Sequence, residues 1–143
     1  MGNTILYTGG TFDLFHYGHA KFLKQCYDIT PNVIVSLNTD EFISRYKSSP
    51  ILSFDERWQS LEQCKYVSQI ITNTGDEDSK IAIESVAPNI IAIGDDWLCK
   101  DYYSQMGFSK TWLEEKNIEL VYLPYTEHIS TTNIKQRILQ KYK

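Results

Sequence analysis

The feature that most limits the fold of this chain is an alternation of short apolar runs with helical segments. The apolar runs are TILYTGG, NVIVSLN, SQIIT, NIIAIG and IELVYLP. They are continuously apolar, as expected of strands that are covered on both faces. The segments between them carry helix signals, such as the capping box formed by Ser53 and Glu56. We therefore predict one α/β domain over residues 1–143, with a doubly wound, five-stranded parallel sheet.

Spacing and caps also predict where helices begin and end. A helix is expected to start at Asp40, capped by Asn38 or Thr39. The other helices are predicted over residues 19–29, 53–67, 78–87, 109–118 and 129–142. The least regular stretches, residues 44–54 and 98–108, are predicted to be mobile loops near a site.

Charge and composition narrow the possible partners. The net charge is −4 at pH 7, whereas domains that bind nucleic acid are usually basic, so nucleic acid is not expected. No apolar run approaches the ~20 residues that a membrane span needs, and the N-terminus has no secretory pattern, so no membrane is expected either. Cys26, Cys64 and Cys99 lack zinc-type spacing and are predicted to be free thiols of a cytoplasmic protein. A local cluster of cations could still bind a small anionic substrate.

Polar sequence follows four of the predicted strands. These segments are residues 9–19, 38–40, 94–97 and 125–132. Open α/β sheets bind ligands at the carboxyl ends of their strands, so the four segments are expected to meet at one edge.

The segment after the first strand contains two histidines, His16 and His19, where a strand turns into a helix. Glycines let the backbone approach a ligand, and a helix start offers N–H groups and a positive dipole end to a phosphate. The i, i+3 spacing would also allow a metal, but no third spaced ligand appears. Plain packing at a tight turn is the third possibility. Donation to a phosphoryl oxygen is favoured over a zinc site.

Two other segments have competing interpretations. ISTTNIK, from residue 129, is a second candidate phosphate site, or a plain N-cap that needs one hydroxyl. GDDW, residues 94–97, could hold a ribose or base or coordinate Mg²⁺, or it could be a polar turn with Trp97 in the core.

Together these motifs resemble a cytidylyltransferase of the glycerol-3-phosphate cytidylyltransferase type. The family run G-T-F-D-x-x-H-x-G-H is intact at residues 10–19, and the run R-T-E-G-I-S-T-T appears as YTEHISTT at residues 125–132. The resemblance extends to NTDEF, ERWQSLEQCKYV, GDDW and VYLP, so it spans nearly the whole chain. It implies a Rossmann-like fold and a homodimer.

The resemblance also implies a reaction, in which CTP and an alcohol phosphate give a CDP-alcohol and pyrophosphate. It assigns catalysis to His16, His19, Lys47 and Arg57. It assigns nucleotide binding to Gly9, Gly10, Thr11, Phe12, Asp13, Gly94, Asp96, Trp97, Ser130 and Thr131. Mg²⁺ is expected with the triphosphate, and Asp13 is expected to orient its loop, with the metal as one means. The favoured acceptor is glycerol 3-phosphate, whose product would supply a cell-surface polymer such as teichoic acid or capsule.

Several alternatives remain at this point. The acceptor could be glycerol 2-phosphate, ribitol phosphate or phosphoethanolamine; the enzyme could be an adenylyltransferase that uses ATP; or the chain could be a nucleotide-binding regulator without catalysis. Tyr125 replaces the family arginine and His128 the family glycine. One triphosphate contact is then either lost or replaced by Arg45, Lys135 or His128.

Overall fold

The computed structural model describes residues 4–96 and 101–143. Five strands and seven helices are defined in these ranges. They are β1 (Leu6–Gly10), α1 (Tyr17–Ile29), β2 (Val33–Asn38), α2 (Asp40–Ser44), α3 (Phe54–Glu62), β3 (Gln69–Asn73), α4 (Asp76–Val86), β4 (Ile90–Gly94), α5 (Tyr102–Met106), α6 (Lys110–Glu115), β5 (Glu119–Leu123) and α7 (Thr131–Lys141).

The strands form one parallel sheet in the order β3-β2-β1-β4-β5. The chain moves outward from β1 in one direction to β3, and then returns to the other side of β1 to add β4 and β5. This confirms the predicted doubly wound α/β fold. The direction of winding reverses between β1 and β4, and a crevice at that point is where such sheets bind ligands.

Neighbouring residues of β1 face opposite sides of the sheet and belong to two separate cores. Leu6 packs with α1 and α3, in a cluster that includes Leu23 and Leu61. Tyr7 packs with α4, α5 and α6, in a cluster that includes Ile83. Because both faces are covered, the strands need the continuous apolar sequence from which they were predicted.

Several helix boundaries differ from the sequence prediction: α4 begins at Asp76, α6 ends at Glu115 and α7 runs from Thr131 to Lys141. The first helix begins at Tyr17 rather than residue 19, because a histidine caps it. The third ends at Glu62; Cys64 and Val67 then continue in turns but still pack on the core, so their spacing imitates a helix. The interval 98–108 was predicted irregular, yet residues 102–106 form α5, with Asp101 as N-cap. Thr39, and not Asn38, caps α2. None of the helices in the described ranges is long and apolar enough to cross a bilayer.

Candidate active site

The carboxyl ends of the strands bring the segments after β1, β2 and β5 together. The Thr131 hydroxyl, at the start of α7, donates to the backbone oxygen of Asp13 at 2.7 Å. The Asn38 amide, at the end of β2, lies 3.4 Å from the hydroxyl of Thr11. Segments that are distant in sequence therefore share one edge of the sheet, as predicted.

His16 and His19 form the cap of α1. The backbone N–H of Gly18 donates to His16 Nδ1 at 3.1 Å, and the backbone N–H of His16 donates to His19 Nδ1 at 3.2 Å. A backbone N–H can only donate, so each Nδ1 must be the acceptor. In a neutral imidazole the single proton then lies on Nε2. The cap thus fixes both rings in the tautomer that offers an Nε2–H donor.

Electrostatics keep these rings neutral. Burial, as the largest cause, together with the nearby His16 and Lys47, lowers the pKa of His19 to about 3. Burial also lowers the pKa of His16. The rings stack with their centroids 3.8 Å apart, an arrangement that would be unfavourable if both carried a charge. Two neutral donors side by side suit a developing negative charge, and no third metal ligand joins them in the described part of the chain.

Glycines make room for this arrangement. A Cβ atom on Gly18 would lie 2.9 Å from His16 Cε1 and 3.1 Å from a methyl of Ile129. A Cβ on Gly10 would lie 2.8 Å from the ring of Phe12. Phe12 is buried, with its ring centroid 5.2 Å from that of His19, so its ring packs against the histidine. At Gly9 the nearest atoms are at ordinary contact distance, 3.5 Å or more.

Asp13 is buried and ties three segments together. Its carboxylate oxygens accept from the backbone N–H groups of Ile51 and Leu52 at 2.7 and 2.9 Å. Its backbone oxygen accepts from Thr131. These direct hydrogen bonds fit the expected loop-orienting role.

Arg57 is completely buried, although it was predicted to lie near substrate phosphates. Its guanidinium donates to the backbone oxygens of Leu52 at 3.2 Å and Thr11 at 2.9 Å, and to Asp40 Oδ1 at 2.7 Å. These contacts indicate a positioning residue that joins the loop after β1 to the segment before α3. The catalytic assignment of Arg57 stays a prediction, since the structure leaves it no exposed surface.

Lys47 lies in the predicted irregular segment between α2 and α3. Its Nζ lies 5.6 Å from the centroid of the Tyr46 ring. Its charge lowers the pKa of His19, so the ammonium group is close to the histidines. This placement fits the predicted role at the phosphates.

The turn after β4 lies against the segment after β5. A Cβ on Gly94 would lie 2.5 Å from Asp96 Oδ1 and 3.9 Å from the Tyr125 ring. The Asp95 carboxylate accepts from the backbone N–H of Tyr125 at 3.0 Å, which ties the segment after β5 to this turn. Trp97, which was predicted to hold the nucleoside, lies outside the described residues.

Two of the three hydroxyl groups at the start of α7 make hydrogen bonds within the protein. Ser130 is the N-cap and accepts from the backbone N–H of Asn133 at 3.0 Å, while Thr131 bonds to Asp13. Their predicted phosphate contacts stay predictions. His128, at the family glycine position, has φ 68°. A left-handed residue is therefore required here, and a histidine holds that conformation at a cost.

Sequence reasoning missed a buried polar pair, Asn38 and Asn73. Asn73 Nδ2 donates to Asn38 Oδ1 at 3.0 Å, and both side chains are buried. The two residues are direct partners in the register of β2 and β3. An asparagine at the end of each strand was a visible signal, but the pairing depends on register.

Comparison with known proteins agrees with this geometry. Residues 7–137 match the family model described as Cytidylyltransferase-like. The Bacillus subtilis protein named glycerol-3-phosphate cytidylyltransferase is 36% identical over 131 residues, which cover 92% of this chain and 94% of that protein. The Staphylococcus aureus protein of the same name is 32% identical over 134 residues, 94% of each chain. The crystal structure of a lipopolysaccharide core biosynthesis protein from Thermoplasma volcanium superposes with a TM-score of 0.69 at 22% identity, covering 87% of this chain and 98% of that one; it supports the fold alone.

Proposed function

Because this chain belongs to the cytidylyltransferase-like family and is therefore a nucleotidyltransferase, we propose that it transfers CMP from CTP to glycerol 3-phosphate. The products are CDP-glycerol and pyrophosphate. The observation that carries the proposal is the pair of neutral histidines, His16 and His19, fixed by their cap as Nε2–H donors beside Lys47. The names of the relatives at 36% and 32% identity support the choice of acceptor.

The reaction requires that negative charge on the phosphate oxygens is neutralised and that the two substrates are positioned. A phosphate oxygen of glycerol 3-phosphate forms a bond to the α-phosphorus of CTP, while the bond from that phosphorus to the bridging oxygen breaks and its electron pair leaves with pyrophosphate. Negative charge builds up on oxygens at the α-phosphorus and on the leaving group. Donors that are fixed before the reaction stabilise this charge without reorganisation. His16, His19 and Lys47 are the residues placed to do so.

Magnesium is proposed as part of the substrate, MgCTP. Each carboxylate oxygen of Asp13 accepts from a backbone N–H group, at 2.7 and 2.9 Å, so this side chain serves as an anchor of its loop. Among the side chains that the structure describes, those of residues 4–75, 79–96 and 101–143, no cluster of three or more candidate metal ligands occurs.

The product would supply a cell-surface polymer, and a cytoplasmic homodimer is proposed from the family resemblance. Cys26 and Cys64 are free thiols, which fits a reducing compartment. Light scattering on the purified protein measures the mass in solution, and a mass of one chain would contradict the dimer.

The direct test is release of pyrophosphate from CTP, Mg²⁺ and glycerol 3-phosphate by the purified protein. Glycerol 2-phosphate, ribitol phosphate and phosphoethanolamine serve as alternative acceptors, and ATP as alternative donor. Faster turnover with ATP would indicate an adenylyltransferase. CTP binding without turnover on any acceptor would indicate a regulator and refute the proposal.

A matched pair of variants tests the histidine tautomer. In His19→Asn the amide oxygen replaces Nδ1 and can keep the cap, but the Nε2–H donor is lost. In His19→Gln the amide nitrogen replaces Nε2 and keeps a donor, but the cap is lost. We expect the Asn variant to fold normally with kcat lowered by about 10²-fold or more. The Gln variant should be less stable and retain more kcat. The reverse ranking would contradict the assigned tautomer.

A further inference from the structure

A series of hydrogen bonds determines which way two hydroxyl groups at the catalytic edge are oriented. It begins at the backbone N–H of Gly75, which can only donate and which donates to Asn73 Oδ1 at 3.0 Å. The Ser79 hydroxyl donates to the same oxygen at 2.9 Å. The amide of Asn73 must therefore present its NH₂ group to Asn38, where Nδ2 donates to Asn38 Oδ1 at 3.0 Å.

With its oxygen occupied in this way, Asn38 presents its own NH₂ group to two hydroxyls. Asn38 Nδ2 lies 3.4 Å from the Thr11 hydroxyl and 3.3 Å from the Tyr46 hydroxyl. An amide NH₂ group cannot accept a hydrogen bond, so both hydroxyl oxygens act as acceptors here. Each hydroxyl keeps its own proton to donate to a third group. Asn38 and Asn73 are buried, so little water competes for these bonds.

The two oriented hydroxyls lie in the part of the molecule assigned to phosphate. Thr11 belongs to the loop after β1, and Tyr46 directly precedes Lys47, whose charge acts on His19. The Tyr46 ring packs against Phe42 with 5.6 Å between centroids and remains 39% exposed. Two O–H donors beside an ammonium group favour an anion with several acceptor oxygens.

We propose that Tyr46 is a phosphate-binding residue whose hydroxyl, oriented by Asn38, donates to a phosphoryl oxygen of a bound substrate together with the hydroxyl of Thr11. This inference rests on the proposed function and adds a residue that lies outside both signature runs. The phosphoryl group can belong to CTP or to the acceptor, and the two sources are separated by experiment.

The test is Tyr46→Phe, which removes the hydroxyl and keeps the ring. Tyr27→Phe is the matched control, because Tyr27 is 41% exposed and lies near the far end of α1. Calorimetry measures the affinity for CTP and for cytidine, and turnover gives the KM for glycerol 3-phosphate. Loss of a hydrogen bond to a charged group should weaken the binding of the phosphate-bearing substrate by about tenfold.

The outcomes are distinct. If Tyr46→Phe weakens the binding of CTP but not of cytidine, the hydroxyl contacts the triphosphate. If it raises the KM for glycerol 3-phosphate and leaves the affinity for CTP unchanged, the hydroxyl contacts the acceptor. Unchanged affinity for both substrates, or an equal loss for CTP and cytidine, overturns the proposal. If the wild-type protein binds CTP but releases no pyrophosphate, the proposed function fails, while calorimetry with CTP, cytidine and glycerol 3-phosphate still decides the role of Tyr46.

A second variant tests the orientation. Asn38→Asp keeps the shape, but a carboxylate only accepts, so both hydroxyls turn their protons toward it. In that background Tyr46→Phe should change the affinity for the assigned substrate by less than about twofold, because the donor is already lost. A full, additive loss in the double variant would show that Asn38 does not orient the hydroxyl, and it would overturn that part of the proposal. Thermal melting confirms that each variant is folded.

Discussion

Replacing Arg57 should lower stability before it affects chemistry. The guanidinium is completely buried and donates to the backbone oxygens of Thr11 and Leu52 and to Asp40. In Arg57→Met all three acceptors lose their donor and the Asp40 charge loses its partner. Removing one member of a buried ion pair costs about 3–5 kcal/mol. Asp40 has a half-exposed side chain, 49%, and water can rehydrate it, so we expect about 3 kcal/mol, toward the lower end of that range.

Arg57→Lys makes the prediction sharper. Lysine keeps the charge and can still reach Asp40, but one ammonium group cannot replace a fork that serves three acceptors. One or two part-buried carbonyl oxygens then lose a partner, at about 1 kcal/mol each, the lower end of the range for an unsatisfied group. Asp40→Asn, which keeps an acceptor oxygen, should cost the least. Arg57→Met should therefore destabilise the protein most, Arg57→Lys less, and Asp40→Asn least.

Urea denaturation followed by circular dichroism gives the free energies of unfolding. About 3 kcal/mol corresponds to a fall in Tm of roughly 10 °C for a chain of this size. Pyrophosphate release is then measured well below the lowest Tm. Arg57→Lys with the stability of the wild type and kcat lowered by about 10²-fold would refute the positioning role, and would favour direct contact with the substrate.

Three further changes have distinct expected results. Gly10→Ala should push Phe12 away from His19 and lower both kcat and Tm, whereas Gly9→Ala, with room for a methyl group, should leave Tm nearly unchanged; equal Tm values would contradict the packing argument. His128→Gly should raise the free energy of unfolding by about 1 kcal/mol, because φ 68° strains a residue with a Cβ; urea denaturation checks it, and a loss of stability would contradict it. The pKa of His19 falls from its usual 6.5 to about 3 on folding, so the unfolded chain binds the extra proton between these values. Stability should therefore fall by on the order of 1–2 kcal/mol from pH 7 to pH 5, and His19→Gln should flatten that slope in denaturation measured across the range; an equally steep slope would show that His19 is not the cause.

The sequence was sufficient for the sheet because each strand is covered on both faces and carries an uninterrupted apolar run. It was also sufficient for the capping box of Ser53, which depends on a residue three positions away. It did not indicate that Arg57 is buried, because the backbone oxygens and the carboxylate that accept from its guanidinium come from other segments of the chain. It failed at Asn38 and Asn73 for a similar reason, since their contact depends on the register of two strands.

The pair of histidines shows what sequence spacing can and cannot predict. The spacing of His16 and His19 indicated a shared helix face, but it left metal, phosphate and packing open. The tautomer became clear only from the backbone N–H groups that each Nδ1 accepts. Geometry within one turn of helix therefore fixes the tautomer, which the spacing alone could not show, and the contact with phosphate stays a prediction.

The hydrogen bond between Thr131 and Asp13 has a consequence for how the protein is made. It joins residues that are 118 positions apart, and the same Asp13 anchors Ile51 and Leu52. During synthesis the first strand and helix leave the ribosome long before the last helix exists. Contacts of such long range form late, so the loop that carries the histidines gains this anchor only after residue 131 has been made. A nascent or truncated chain should therefore hold a native-like sheet without a competent catalytic edge.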